Sequence, residues 1–196
     1  RDNILARLDG EIPPEDGGKL ILFEVHQDTV PVEGMKIDPF EATVRDGRLY
    51  GRGACDVKGG MASMLAALAR LAEERPAQRP TVVMACTVNE EFGFTGAMGL
   101  AESFGTPGGL ISKKPDAVIV AEPTGLDVVV AHKGVLRWNC HTRGVAGHSA
   151  EPEQGENAIF KMTPILAALE RYQKTVVGNL ASHVLCGTPT ISVGVI

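Results

Sequence analysis

The chain has 196 residues, 44% of them hydrophobic and 22% charged, which is ordinary for a folded globular protein. Its formal net charge is −5, so we expect no nucleic-acid partner, because no basic stripe is available to neutralise phosphates. No apolar run approaches the roughly 20 residues that a membrane span needs, so we expect no membrane partner either.

Predicted strands and helices alternate over the first two-thirds of the chain. Continuous apolar runs indicate strands buried on both faces, and apolar residues three and four apart indicate helices. The predicted strands are residues 3–8 (an edge strand), 20–25, 81–88 and 117–121, and the predicted helices are 61–72 and 95–104. Asp46-Gly47 adds a hairpin signal. This order predicts an α/β fold, with a mostly parallel sheet flanked by helices.

The pattern changes after about residue 132. Residues 135–142 and 190–195 alternate between apolar and polar side chains, which predicts half-exposed strands. The helical spacing over 158–172 predicts a helix that Pro164 should kink or split. We therefore predict two domains, a catalytic part over residues 1–131 and the first part of an α+β domain over 132–196.

Four segments of the predicted α/β region deliver metal-capable side chains. Ligands bind at the carboxyl ends of parallel strands, so these side chains should converge on one crevice. They are His26 and Asp28 after the first buried strand, Asp56 in a glycine-rich loop, Glu90 and Glu91 after the second, and Glu122 after the third. Carboxylates crowded there would repel each other, and a pair of divalent cations would hold them together.

Each motif alone has an ordinary alternative. His26 and Asp28 could be a loop histidine with a capping acid, whereas in a metal site the carboxylate would orient the imidazole. Glu90 and Glu91 could be a solvated turn, but an acidic pair at the exit of a wholly apolar strand favours one ligand and one free base. Glu122 before Pro123 could be a simple turn. The combination is more specific than its parts.

The loop GRGACDVKGG at residues 51–60 invites a nucleotide-binding interpretation. It lacks the GxxxxGKS/T and GxGxxG spacings of phosphate loops. We favour glycines that let the backbone approach a metal site while Asp56 projects into it.

Other residues carry weaker signals. His148, in a small-residue loop, would suit an oxyanion donor, with a plain surface histidine as the alternative. We expect the remaining histidines (His132, His141, His183) to be structural or exposed and Trp138 to lie in the core. The four cysteines (Cys55, Cys86, Cys140, Cys186) form no CxxC pair, so we expect them buried and reduced in a cytoplasmic protein.

Several motifs in register carry a family resemblance. HQDTVP, GRGACDVKGGMA, TVNEEFG, AEPT, AHKG and GHSAEPEQGENAI follow one another in this order. The chain thereby resembles the dinuclear zinc amidohydrolases and metallopeptidases that include acetylornithine deacetylase, succinyl-diaminopimelate desuccinylase, aminoacylase and the glutamate-releasing carboxypeptidase. The resemblance implies a zinc-peptidase-like catalytic domain with a lid domain that forms a homodimer.

The resemblance also implies a role for each site residue. His26 and Glu122 would bind one zinc and Glu91 the second, while Asp56 would bridge both and precede a peptide bond that is often cis in the family. Asp28 would lie behind His26, and Glu90 would be the general base. His148 would contact the scissile carbonyl, and Asn157 would lie near the substrate. Co²⁺ or Mn²⁺ could replace Zn²⁺, because mixed nitrogen and oxygen ligands accept several metals.

The chain also departs from that family. The last zinc ligand of the family is a histidine near the end of a much longer chain, and His183 lies in the lid-like region instead. We therefore expect a fragment that is inactive by itself, and we find no clear arginine clamp for a substrate carboxylate.

The function predicted for the complete enzyme is metal-dependent hydrolysis of the amide bond in an N-acyl amino acid or small peptide. The alternatives are an aminoacylase, dipeptidase or carboxypeptidase within the family, or a non-catalytic relative that binds metal or peptide. Glu90 and Asp56 are both present, which argues against the last of these.

Overall fold

A computed structural model describes residues 2–196 of the chain. It divides into two compact units, with the boundary between Leu126 and Asp127. No helix among the described residues is both long and apolar enough to cross a membrane.

The first unit is built on a four-stranded sheet. Its strands are β1 (Ile4–Leu8), β2 (Leu20–His26), β5 (Thr81–Thr87) and β6 (Ala117–Val120), and a separate hairpin consists of β3 (Thr43–Arg45) and β4 (Arg48–Tyr50). The strand order is β1-β5-β2-β6. β2 runs parallel to both β5 and β6, and β1 pairs antiparallel with β5 as an edge strand. The predicted mostly parallel sheet is therefore confirmed.

Two helices flank this sheet, α1 (Gly59–Glu74) and α2 (Thr95–Glu102). One apolar cluster joins Leu22 of β2 and Val83 of β5 to Leu100 of α2. A second cluster joins Val25 and Met84 to Met64 of α1. Alternate side chains of the central strands thus enter two different cores, which is why β2 and β5 read as continuous apolar runs.

The third predicted strand is less buried than its sequence suggested. β6 forms over residues 117–120, but Val118, Ile119 and Val120 are about half exposed. The sheet order explains the difference, because β6 lies at an edge and has only β2 as a neighbour. An apolar run predicts a strand, but its place in the sheet decides how much of it is covered.

The hairpin prediction is confirmed. Asp46 and Gly47 connect β3 to β4, and both have positive φ values, 51° and 71°. Asparagine, aspartate and glycine tolerate this region of φ, and two such residues form the tight turn that matches strand twist.

The second unit contains one long helix, α3 (Ala158–Thr175), and short 3-10 turns at Pro152–Gln154 and Val177–Asn179. The helix continues through Pro164, so the predicted split does not occur. The strands predicted over 135–142 and 190–195 are also not formed. A strand needs a neighbouring strand for its hydrogen bonds, and no strand among the described residues forms a ladder with these two segments.

Two burial predictions are wrong. Trp138 is 53% exposed rather than part of a core. The cysteines are unpaired as expected, but none is fully buried, because Cys55 and Cys140 are exposed and Cys86 and Cys186 are partly exposed. Sequence pattern alone could not give these exposures, since they depend on which elements cover each segment.

Candidate metal centre

The sheet brings the predicted ligands to one end. His26 is the last residue of β2 and stands opposite Thr87, the last residue of β5. Glu90 and Glu91 follow β5 by three and four positions. The amide of Ala121 donates to the carbonyl of Glu24 at 2.9 Å, so the β6–β2 pairing persists to the residue before Glu122. Parallel strands therefore end at one edge of the sheet, as predicted.

His26 is held in one orientation. Its ring is 2% exposed, and its Nδ1 lies 2.8 Å from the carbonyl oxygen of Asp28. An Nδ1–H donated to that carbonyl leaves Nε2 with its lone pair free for a metal. The Asp28 carboxylate lies farther away, with Oδ1 3.8 Å from Nδ1. It is thus the carbonyl of Asp28, rather than its carboxylate, that orients the ring.

The Asp28 carboxylate binds the loop that carries Glu90 and Glu91. Its two oxygens accept hydrogen bonds from the backbone amides of Glu90 and Glu91, both at 3.2 Å. The amide of Val30 in turn donates to Oε1 of Glu91 at 3.2 Å. These bonds tie the loop after β2 to the loop after β5. Asp28 therefore positions the acidic pair as well as the imidazole.

The glycine-rich loop presents Asp56 to His26. Gly53 has a φ of 77°, and the amide of Lys58 donates to its carbonyl at 2.7 Å, closing a π-helical turn over Ala54–Lys58. The Asp56–Val57 peptide bond is cis. Val57 packs into the core with Val25, whereas the Asp56 side chain is 52% exposed. The turn thus buries one residue and leaves its neighbour free to bind.

The glycines of this loop were expected to let the backbone approach a metal site. Instead, Gly53 and Gly60 let the backbone approach other atoms of the protein. A Cβ at Gly53 would lie 2.8 Å from Cγ2 of Thr29, and one at Gly60 would lie 2.9 Å from Cβ of Ala121. Both distances are too short for real atoms, so only glycine fits at these contacts. The loop also directs a carboxylate towards His26, and that charge would repel a nucleotide phosphate.

One three-donor group consists of His26, Asp56 and Glu122. Nε2 of His26 lies 3.0 Å from Oδ1 of Asp56 and 3.9 Å from Oε1 of Glu122. Ligands about 2.0–2.1 Å from a tetrahedral zinc ion lie about 3.3 Å from one another, by tetrahedral geometry. The two distances lie on either side of this value, so the three donors fit a divalent cation after small side-chain movements.

A second group consists of His26, Glu90 and Glu91. All ligand atoms within each group lie within 4.8 Å of one another. Asp56 and Glu91 stand in different groups, which share only His26. Because the free lone pair of one imidazole serves one ion, an ion at Glu91 would need donors besides His26.

Burial and neighbouring charges together change the pKa values of the cluster. Burial raises the pKa of Glu90 and of Glu122, and neighbouring carboxylates add to this effect, whereas His26 opposes it. Burial by itself would lower the pKa of His26, but the hydrogen bonds to Asp56 and to the Asp28 carbonyl and the charges of Glu122 and Asp56 outweigh it. The pKa of His26 is therefore raised.

The folded chain concentrates negative charge at one point, since the carboxylates group closely around His26. Protons relieve the repulsion in the absence of metal, and a divalent cation would relieve it more strongly. His26 is buried while the Glu122 side chain is 39% exposed, so the cluster is anchored on one side and open on the other. A borderline nitrogen donor beside hard oxygen donors suits Zn²⁺, Co²⁺ or Mn²⁺. The residues present therefore fit a divalent metal.

The sequence interpretation missed one acid in this region. Thr87, which is buried, donates its hydroxyl to Oε1 of Glu24 at 2.5 Å. The charge of Glu24 contributes to raising the pKa of Glu122. The signal was an acid two residues before His26 in an otherwise apolar strand.

The remaining predicted residues lie in the second unit. His148 is exposed, and its Nδ1 accepts a hydrogen bond from the amide of Ala150 at 3.1 Å. Asn157 caps α3, with Oδ1 accepting from the amides of Ile159 and Phe160. Its amide nitrogen remains able to donate. His132, His141 and His183 are exposed.

Comparison with known proteins identifies the family. Residues 22–192 match Peptidase family M20/M25/M40. The chain is 35% identical over 175 residues to a succinyl-diaminopimelate desuccinylase of Gluconacetobacter diazotrophicus, covering 85% of this chain and 43% of that protein. It is 40% identical over 172 residues to an acetylornithine deacetylase of Myxococcus xanthus, covering 87% of this chain and 42% of that protein. The chain thus spans less than half the length of these curated relatives.

Two solved structures, a metallo-carboxypeptidase and an aminopeptidase, show weaker similarity. The M20 family metallo-carboxypeptidase Sso-CP2 of Sulfolobus solfataricus has a TM-score of 0.48 at 26% identity, covering 60% of this chain and 25% of that one. Aminopeptidase PepT of Bacillus cereus has a TM-score of 0.43 at 25% identity, covering 85% of this chain and 42% of that one. On the extent of the family match, this chain belongs to Peptidase family M20/M25/M40.

Proposed function

We propose that this protein is a metal-dependent amidohydrolase that removes the acyl group from an N-acyl amino acid, with two zinc ions at its centre. The observation that carries the proposal is the convergence of His26, Asp56 and Glu122, whose ligand atoms all lie within 4.8 Å of one another. The names of the two curated relatives, a desuccinylase and a deacetylase, support an N-acyl amino acid as the substrate class.

When bound, divalent cations would polarise the scissile carbonyl and make a water molecule more acidic. In this proposal His26, Asp56 and Glu122 would hold one ion, and Glu91 and Asp56 would help to hold a second. The nitrogen and oxygen donors suit zinc and also accept cobalt or manganese. Asp28 keeps His26 and the acidic pair in place through the hydrogen bonds described above.

Glu90 is the proposed general base. It takes a proton from the attacking water as the new C–O bond forms, and it returns a proton to the amide nitrogen as the C–N bond breaks. Burial raises its pKa, which moves it towards neutral pH, where a carboxyl group exchanges protons most effectively. Its backbone amide is held by the Asp28 carboxylate. Glu90 is therefore both fixed in place and suited to proton transfer.

The second unit would supply the remaining groups. We propose that residues 132–196 belong to a lid domain through which two copies dimerise, and that residues 1–131 belong to the catalytic domain. His148 would donate to the developing oxyanion, and the amide nitrogen of Asn157 would contact the substrate. Four cysteines without a disulfide are consistent with a cytoplasmic protein.

A second candidate is a relative that binds metal or peptide without hydrolysis. Aminoacylase, dipeptidase and carboxypeptidase activities are the alternatives within the family. The presence of Glu90 beside the proposed ligands favours catalysis over simple binding.

The test is hydrolysis of a panel of N-acetyl and N-succinyl amino acids and dipeptides by the zinc-loaded full-length enzyme, because the chain described here is expected to be inactive by itself. We expect release of at least one amino acid, complete loss with a chelator, and a fall in rate of about 10²–10⁴-fold in Glu90→Gln. Zinc content, measured by mass spectrometry, should stay unchanged in that variant. Glu73→Gln, at an exposed position of α1, is the matched control.

Two outcomes would contradict this proposal. Near-normal rates in Glu90→Gln would remove Glu90 as the base. Stoichiometric zinc without turnover of any substrate in the panel would favour the non-catalytic alternative. Asn157→Asp tests the lid residue separately, because it keeps the oxygen that caps α3 and removes the amide donor.

A further inference from the structure

A cavity of about 700 Å³ lies in the first unit beside the metal cluster, the name used here for the possible metal ligands His26, Asp56, Glu90, Glu91 and Glu122. This volume is within the range of small-molecule sites, roughly 300–1,000 Å³. Asp28 lines the cavity, and so does Asn89, which precedes Glu90. A substrate whose scissile amide sits at the metal cluster would therefore have part of its structure in this cavity.

Two cations line the same cavity, Arg52 and Lys58. The one acid in the lining is Asp28, and its carboxylate is already bonded to the amides of Glu90 and Glu91. Lys58 is exposed, and within the described residues its Nζ donates a hydrogen bond only to the carbonyl of Gln27, at 2.5 Å. The cavity thus has an excess of positive charge beside an acidic centre.

Arg52 has donors to spare. Nη2 donates to the carbonyl of Pro31 at 2.9 Å, and Nε is buried without a hydrogen-bond partner within residues 2–196. A buried donor without an acceptor is unfavourable. Nε and the second hydrogen of Nη2 form a fork that matches the two oxygens of a carboxylate. A carboxylate that reaches this fork after a small movement of the Arg52 side chain would supply the acceptor that Nε lacks.

The cavity also has apolar walls. Phe40 and Phe92 line it with 78% and 64% of their surfaces exposed. Exposed aromatic side chains around a polar anchor are typical of sites that bind an apolar chain with a charged end.

Resting on the hydrolase function above, we propose that this cavity is the specificity pocket for a carboxylate of the substrate, with Arg52 and Lys58 binding the carboxylate and Phe40 and Phe92 covering the adjoining apolar chain. The carboxylate could belong to the amino acid or to a dicarboxylic acyl group. Both have the same chemistry, and the experiment separates them.

The test is an NMR titration of the chelator-treated, metal-free protein, so that the metal cluster and turnover play no part. The probes are N-acetyl-L-norleucine, with a carboxylate on the amino acid; N-succinyl-L-norleucinamide, with one on the acyl group; and N-acetyl-L-norleucinamide, with none. We expect one carboxylate probe to bind more tightly than the neutral amide, and which one binds identifies the end of the substrate.

Arg52→Gln should weaken binding of that probe by about ten- to a hundredfold, the loss typical of a charge-assisted hydrogen bond. Lys58→Gln should weaken it less, because it removes a point charge rather than a fork. Binding of the neutral amide should be unchanged in both variants. Arg48→Gln, an exposed arginine of β4 that does not line the cavity, is the matched control.

Equal affinity of the carboxylate probe for wild type, Arg52→Gln and Lys58→Gln would overturn the proposal. So would equal binding of all three probes to the wild type, or binding that appears only with zinc and disappears in Asp56→Ala. If Arg52→Gln loosens the loop at Pro31, Lys58→Gln still decides the matter. A failure of the hydrolase assay would leave this metal-free titration unaffected, so the two proposals fail separately.

Discussion

The two units of the chain differ in how much they bury. The first unit has two apolar clusters in which Leu20, Val25 and Val83 are fully covered. In the second unit, residues 127–196, Val177 is the only buried residue. Segments that were all predicted to be strands therefore led to different structures. The continuous apolar runs became strands where neighbouring strands could pair with them, and the alternating runs, beside which no strand lies in the described residues, stayed irregular.

The largest effect expected from this difference is on stability. Leu22→Ala, in the core of the first unit, should lower the free energy of unfolding by about 2–5 kcal/mol. Leu136→Ala is the matched change in the second unit, where Leu136 is 83% exposed, and it should change that free energy by no more than about 0.5 kcal/mol. Urea unfolding of both variants, followed by circular dichroism, measures the two values. Equal losses would mean that the second unit buries Leu136.

A proline in α3 offers a way to reduce the contrast. Pro164 lies inside the helix, where it has no N–H to donate to the preceding turn. Pro164→Ala should restore that hydrogen bond and stabilise the helix by up to about 3 kcal/mol. Slower hydrogen exchange of the amides in α3 would show this gain. Unchanged exchange would indicate that the helix has already adapted to the proline, and Ala167→Gly, which should have the opposite effect, controls for helix sensitivity.

The smallest effect expected is confined to the first unit and depends on pH. The amide of Leu20 donates to Asp116, as do the ammonium groups of Lys19 and Lys113, and together these hold the pKa of Asp116 well below its ordinary value. A carboxylate whose pKa is depressed on folding contributes stability above its unfolded-state pKa, and that contribution disappears as pH falls through the folded-state pKa.

Asp116→Asn should therefore lower stability at pH 7 more than at pH 2–3, by comparison with wild type. Unfolding by urea at several pH values measures this difference. A difference between wild type and variant that does not change with pH would contradict the assignment. Asp9→Asn is a control, since Asp9 is a mostly exposed acid whose side chain, among residues 2–196, pairs only with the nearby Arg7.

Much of the first unit could be predicted because each signal there was local. Apolar runs marked β2 and β5, the Asp46-Gly47 pair marked the hairpin, and acids directly after strands marked the cluster. The exposure of β6 and of Trp138 could not be predicted, because it depends on which elements cover them. The carbonyl of Asp28 gave no signal either, since every residue has one.

The cavity is another feature that could not be predicted from the sequence. Arg52 lies in a glycine-rich motif whose sequence drew attention to Asp56, and no arginine clamp was expected. Only the structure shows that Arg52 and Lys58, six positions apart, line one cavity with Phe40 and Phe92. Residues from three separate segments met there through the fold, which spacing along the chain did not reveal.

The proposed binding of one metal ion by His26, Asp56 and Glu122 can be tested by locating a bound zinc ion, using anomalous diffraction at the zinc edge from zinc-loaded crystals. We expect a peak about 2.0–2.2 Å from Nε2 of His26 and from carboxylate oxygens of Asp56 and Glu122, and its loss in Asp56→Ala. A peak away from these three side chains, or an equally strong one in Asp56→Ala, would contradict it.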